Sequence, residues 1–148
     1  MNTSIESIQN FLAISDELGT AGQPFREQFA IIQQVGYQVV INLAQDDSWD
    51  AVPEEPALCR ALGLEHFHIP VEWQAPLPED LQQFFTLMDK LGDQKVFVHC
   101  ARNMRVSAFV YLYRVLRRGQ PPEACQRDLE KIWQPNETWQ EFIDSQLI

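Results

Sequence analysis

The stretch KVFVHCARNMRVSAF, residues 95–109, decides how this chain is read. Lys95 to His99 is a β-branched, apolar run that reads as a buried strand. It ends on His99-Cys100, passes through a short loop holding Arg102 and Arg105, and enters an apolar helix, expected from about 106 to 118, that buries Val106, Phe109, Val110 and Tyr113. The first N–H groups of a helix lack intrahelical partners, and the macrodipole adds about half a positive charge there. Such a loop is an anion site. Cysteines at helix N-termini or beside cations ionise in a range of roughly 3.5–7.5 instead of about 8.5. A thiolate sharing a cradle with an oxyanion can attack its phosphorus or sulfur, and an arginine gripping two oxygens steadies the charge that develops. Cys100 is therefore the candidate nucleophile. His99 is expected to orient the loop by hydrogen bonds and not to transfer protons. Cys59 and Cys125, on apolar helix faces, read as small buried hydrophobes.

Upstream, strands and helices alternate. Pro24 fits a first helical position, with Phe25, Phe29 and Ile32 following at helical spacing up to Gly36. Tyr37 to Leu43 is a buried strand, and a polar loop from Ala44 to Val52 carries Asp46 and Asp47. Pro53 to Leu62 is a short helix, Leu64 to Ile69 a strand, and Pro70 to Pro78 a Pro-rich loop. Leu81, Phe84, Phe85, Met88 and Leu91 mark an amphipathic helix. After residue 118, helices near 122–133 and 137–146 carry Trp133 and Trp139. An extra strand is expected around Phe11 to Ala21. The fold class is α/β: one domain over 1–148, a central, mostly parallel sheet of four to five strands, and helices on both faces. Loops leaving the C-terminal strand ends gather at one edge, where ligands bind. Asp46/Asp47, Glu72/Trp73 and Cys100 to Arg105 are expected to converge there.

Composition excludes several classes. The chain has 148 residues, 45% of them apolar, and a formal net charge of −10, which argues against nucleic acid and anionic membrane as partners. The opening residues Met1 to Ser7 lack the basic and apolar regions of a signal peptide. Three widely spaced cysteines form neither a disulfide framework nor a metal motif, so reduced thiols in a cytoplasm are expected. Five of the eleven basic residues (Arg102, Arg105, Arg114, Arg117, Arg118) lie between 102 and 118 with no acidic residue among them. They read either as a solvated helix face or as a positive field around the anion site. His66 and His68 share one side of their strand, where packing or hydrogen bonding is preferred over a metal pair.

VFVHC, the loop, then a serine and an apolar helix resemble the phosphate-binding loop of the protein tyrosine and dual-specificity phosphatases. TAGQPFREQFAIIQQVGYQVVINLAQDD and LGLEHFHIPVEWQAP are similar to a bacterial branch of small phosphatases of this kind, so the resemblance covers roughly residues 18 to 118. It implies a cysteine-phosphatase-like fold and an anion cradle made of His99, Ala101, Arg102, Asn103, Met104, Val106 and Ser107. It also implies hydrolysis of phosphotyrosine-type or dual-specificity monoesters through a phosphocysteine, with no metal or cofactor and a phosphorylated protein or other phosphate-bearing molecule as partner. The family pattern places the arginine at 106, which is Val; Arg105 comes one residue early. Two alignments stay open. Without a gap, Ser107 matches the hydroxyl that supports the thiolate; with one deletion, Arg105 is the family arginine. The usual glycines are replaced around Asn103, a residue that tolerates left-handed dihedrals.

The resemblance also implies a general acid on a loop about 30 residues before the cysteine. Glu72 lies there, with Asp46 and Asp47 as alternatives and Trp73 either walling the site or packing. Glu79 and Asp80 suit the start of the next helix. Two other functions remain open: a phosphate-binding module without turnover, and a rhodanese-type sulfurtransferase, whose Cys-x4-Arg loop the spacing also matches and which would carry a Cys100 persulfide.

Overall fold

The structure is a computed structural model that describes residues 4–148. The signal-peptide reading rests partly on residues 1–3, which lie outside the described residues. Five strands form one sheet in the order β1-β2-β5-β3-β4, where β1 is Leu12–Ser15, β2 Leu18–Ala21, β3 Val39–Asn42, β4 Glu65–His68 and β5 Val96–His99. All neighbours are parallel except β1, which runs antiparallel along the outer edge of β2. Asn42 is level with both His68 and His99, and His99 with Ala21. The C-terminal strand ends are thus flush, and their loops share one edge.

Helices cover both faces, as the buried strands require. On one face α1 (Gln28–Val35) and α2 (Glu55–Ala61) pack Phe29, Ile32 and Cys59 against Val40 and Phe97. On the other lie α3 (Pro78–Leu91), α4 (Met104–Leu116), α5 (Pro122–Ile132) and α6 (Glu137–Gln146). Their core joins Phe84, Phe85, Phe109, Leu112, Trp139 and Ile143 to Val39, Ile41 and Val98. Helix α4 is apolar nearly all round because the sheet, α3, α5 and α6 enclose it; Val106, Ala108, Phe109 and Leu112 are wholly buried. Burying the Val106, Phe109 and Leu112 side chains contributes about 1.5–3 kcal/mol each.

Three expectations change. The strand expected around Phe11 to Ala21 is a hairpin turning at Asp16-Glu17, and its second strand is buried throughout because it sits inside the sheet against β5. Helix α1 begins at Gln28, not Pro24: the Phe25 N–H donates to Gln28 Oε1 at 2.7 Å in a turn that leaves the Phe25 ring 68% exposed. Arg114 and Arg117 lie at the far end of α4, on the order of 15–20 Å from its start by helical rise. They are ion-paired there, Arg114 with Asp128 at 2.7 Å and Arg117 with Asp89. The positive field at the cysteine loop comes from Arg102 and Arg105 alone among the five.

Candidate active site

The cysteine loop joins β5 to α4, and its shape is set by neighbours from the N-terminal third of the chain. Asn103 adopts a left-handed conformation, φ 67°, just before the helix begins. Its side chain is fully buried and its Nδ2 donates to the Asn10 carbonyl at 2.8 Å and to Thr20 Oγ1 at 3.1 Å. Asn10 Nδ2 donates in return to the Arg102 carbonyl at 2.9 Å. Just past β2, the Gln23 N–H donates to the Ala101 carbonyl at 3.0 Å, and the Cys100 N–H donates to the Ala21 carbonyl at the end of that strand at 3.4 Å. Gly22 permits this approach, since a Cβ there would stand 2.7 Å from the Ala101 oxygen. The replacement Gly22→Ala is expected to push the loop outward at a cost of about 1–3 kcal/mol. Thermal melts and phosphate titration check this; an unchanged melting temperature together with unchanged affinity would show that the loop has room to spare.

Cys100, Ala101, Arg102, Met104, Arg105 and Trp73 line a cavity of about 260 Å³ at the head of α4. The amides of residues 104–106 open the helix and have no carbonyl four residues back to bond. Arg105 is 7% exposed; its Nη1 donates to the Val71 carbonyl at 2.9 Å and its guanidinium lies 5.9 Å from the Trp73 ring centroid. Val106 is wholly buried in the core. Two arginines thus line the cavity, the exposed Arg102 and the buried Arg105, and position 106 does not reach it.

Trp73 is held by the C-terminal helices. Its ring lies 5.5 Å from Trp133 and 5.9 Å from Trp139, and Trp139 Nε1 donates to the Trp73 carbonyl at 2.8 Å. Trp133 Nε1 donates to Ser107 Oγ at 3.0 Å, and that hydroxyl donates to the Met104 carbonyl at 2.8 Å. Ser107 therefore ties α5 to the start of α4.

Behind the loop, His99 is completely buried. Its Nε2 lies 2.7 Å from Glu55 Oε2, and Nδ1 lies 3.4 Å from the Cys100 carbonyl. His66 Nε2 also reaches Glu55 Oε2 at 2.7 Å, and Gln23 Nε2 donates to Glu55 Oε1 at 3.1 Å. Burial alone would raise the Glu55 carboxyl. The His99 charge and the hydrogen bonds of His66, His99 and Gln23 outweigh it and hold the group well below the usual carboxylate range.

The expected convergence of loops is met in part. Trp73 and the cysteine loop share the cavity, whereas Glu72 is exposed and does not line it. Asp46 lines a separate cavity of about 280 Å³ with Glu55, His66 and His68, and Asp47 is exposed. His68 Nε2 lies 2.6 Å from the Ala44 carbonyl, while Nδ1 stands 3.6 Å from Asp46. Sequence reasoning missed Glu55, Gln23 and Trp139. A glutamate opening a short helix reads as solvated, and only the alternation of His66 with Phe67 hinted that β4 turns a polar side chain inward.

A strand–cysteine loop–helix unit at the flush edge of a parallel sheet defines a phosphatase-like protein of the dual-specificity and tyrosine phosphatase type. The chain belongs to the family described as DSP-PTPase phosphatase fused to NAD+ kinase, which matches residues 6–144. A candidate phosphatase (DUF442) from Shewanella putrefaciens CN-32 is 37% identical over 96% of this chain and 93% of its own, with a TM-score of 0.87. The core catalytic domain of the PP-IP phosphatase SIW14 from S. cerevisiae, in complex with citrate, shares the fold at 15% identity and a TM-score of 0.77, over 93% of this chain and 85% of its own. TpbA from P. aeruginosa, in complex with phosphotyrosine, does so at 16% identity and a TM-score of 0.67, over 88% and 75%. No curated protein matches the chain. Among the described residues, no helix is long and apolar enough to cross a membrane.

Proposed function

We propose that this protein hydrolyses phosphate monoesters of the phosphotyrosine and dual-specificity type through Cys100. One observation carries the reading: Cys100, the Arg105 guanidinium and the Trp73 wall share a single cavity at a helix N-terminus. The Cys100 thiolate attacks phosphorus, an S–P bond forms, and the bond to the ester oxygen breaks. The amides of 101–106 and Arg105 hold the non-bridging oxygens. Glu72 delivers a proton to the leaving oxygen. It stands one residue past Val71, whose carbonyl holds Arg105, so acid loop and cysteine loop share a tether. Water then attacks the phosphocysteine, releases inorganic phosphate and restores the thiolate, and its proton returns to Glu72. The route uses no metal or cofactor. The three free, buried thiols fit a reducing compartment such as a bacterial cytoplasm.

Turnover of p-nitrophenyl phosphate between pH 5 and 7, inhibited by orthovanadate, is the test. Bound phosphate without turnover would leave a binding module. Transfer of sulfur from thiosulfate to cyanide would replace the reading with a sulfurtransferase. The arginines separate by position: Arg105→Ala is expected to lower kcat/KM on the order of a hundredfold, and Arg102→Ala, on an exposed side chain, mainly to raise KM. A larger loss from Arg102→Ala would reassign the grip on the anion.

A further inference from the structure

We propose that Glu55 is a positioning residue for the cysteine loop: it holds His99 as an imidazolium behind Cys100, and His66 and Gln23 keep its carboxylate in place. The proposal deepens the phosphatase reading and rests on its reactive Cys100. His99 has an oxygen at each ring nitrogen, Glu55 Oε2 at Nε2 and the Cys100 carbonyl at Nδ1. Neutral imidazole has one N–H and can satisfy only one of two acceptors; imidazolium satisfies both. A completely buried imidazolium requires a counter-charge, and Glu55, 2% exposed, supplies it from the start of α2. Three side-chain donors from three elements converge on that carboxylate: His99 on β5, His66 on β4 and Gln23 after β2.

The other groups facing this cluster do not compete for the role. The Phe29 ring from α1 meets His99 edge-on at 6.1 Å, and the Phe97 ring lies 6.5 Å away. Cys59, one turn further along α2, has its thiol pushed up to about 12 by burial and by the Glu55 charge, with Arg60 pulling the other way. His68 and Asp46 line the adjoining cavity and face each other. His99 is therefore bracketed by the Glu55 carboxylate at Nε2 and the Cys100 carbonyl at Nδ1. An imidazolium held against the Cys100 carbonyl favours the thiolate form of that residue.

Iodoacetamide alkylation of Cys100 between pH 4 and 9, followed by mass spectrometry of its peptide in the full-length chain, tests the inference. Glu55→Gln keeps the shape and the acceptor but removes the charge. Its alkylation midpoint is expected to rise by about one pH unit, a roughly tenfold slower reaction at the acidic end, while Glu55→Asp stays near wild type. His99→Asn, which retains a donor toward the Cys100 carbonyl, is expected to give the same rise even where Glu55→Gln does not fold. The double variant is expected to add nothing further. A folded Glu55→Gln with the wild-type midpoint, or a double variant with two full shifts, would overturn the proposal. A shifted midpoint in a protein that turns over no phosphate ester would support the relay while sinking the phosphatase reading.

Discussion

Cys100→Ser protein is expected to turn over p-nitrophenyl phosphate at least about a thousandfold more slowly than wild type while binding phosphate with affinity within a few-fold. A serine hydroxyl stays protonated at these pH values, so it is a poor nucleophile where a thiolate is a good one. The proposed anion grip consists of the amides of the loop, the start of α4 and Arg105, none of which the substitution removes. Cys100 is 1% exposed, and the smaller oxygen fits without displacing Ala101 or the core. Initial rates and a calorimetric phosphate titration on the same preparation separate the two properties. A variant retaining a tenth of the wild-type rate would rule out a phosphocysteine. A variant that loses phosphate binding as well would show that the sulfur helps build the cradle.

Trp139→Ala is expected to destabilise the fold by about 3–5 kcal/mol. Trp139 is wholly buried, its ring packs against Trp73, Trp133, Phe109 and Phe142, and its Nε1 satisfies the Trp73 carbonyl. Removal leaves a large void and an unmet acceptor on the loop that walls the cavity. Denaturant unfolding gives the stability, and turnover at a temperature where the variant is folded gives the second readout, an expected rise in KM as Trp73 loosens. Trp139→Phe keeps most of the packing and loses the hydrogen bond, so about 1–2 kcal/mol is expected. A loss below about 1 kcal/mol for the alanine variant would mean that α6 is dispensable to the wall.

The fold was legible where a single periodicity ran long enough. VFVH and YQVVINL are apolar on both sides, as strands with helices on both faces must be, and Leu81 to Leu91 carries a clear helical stripe. The hairpin was not legible as two strands, since Gly19 and Thr20 give β2 neither alternation nor bulk although the sheet buries both its faces. Phe25 misled because spacing records where an apolar ring falls, not whether the turn at Gln28 lets it reach the core. At the site, the cysteine loop announced itself through local order along the chain. Glu55 and Trp139 act over 44 and 66 residues of sequence separation, on His99 and Trp73, and only the closed sheet makes those neighbours.

The cysteine loop is gripped from both ends of the chain, by Asn10 on one side and, through Trp73, by Trp139 on the other. A shortened version spanning only 18–118 would contain every residue proposed to touch phosphate and would keep the loop's bonds to Thr20, Ala21, Gln23 and Val71, yet it would lose the Asn10 clamp and the Trp139 support of the wall. The span that holds the proposed site in shape is therefore longer than its recognisable motif, and trimming at either terminus is expected to loosen the loop without removing a residue proposed to touch phosphate.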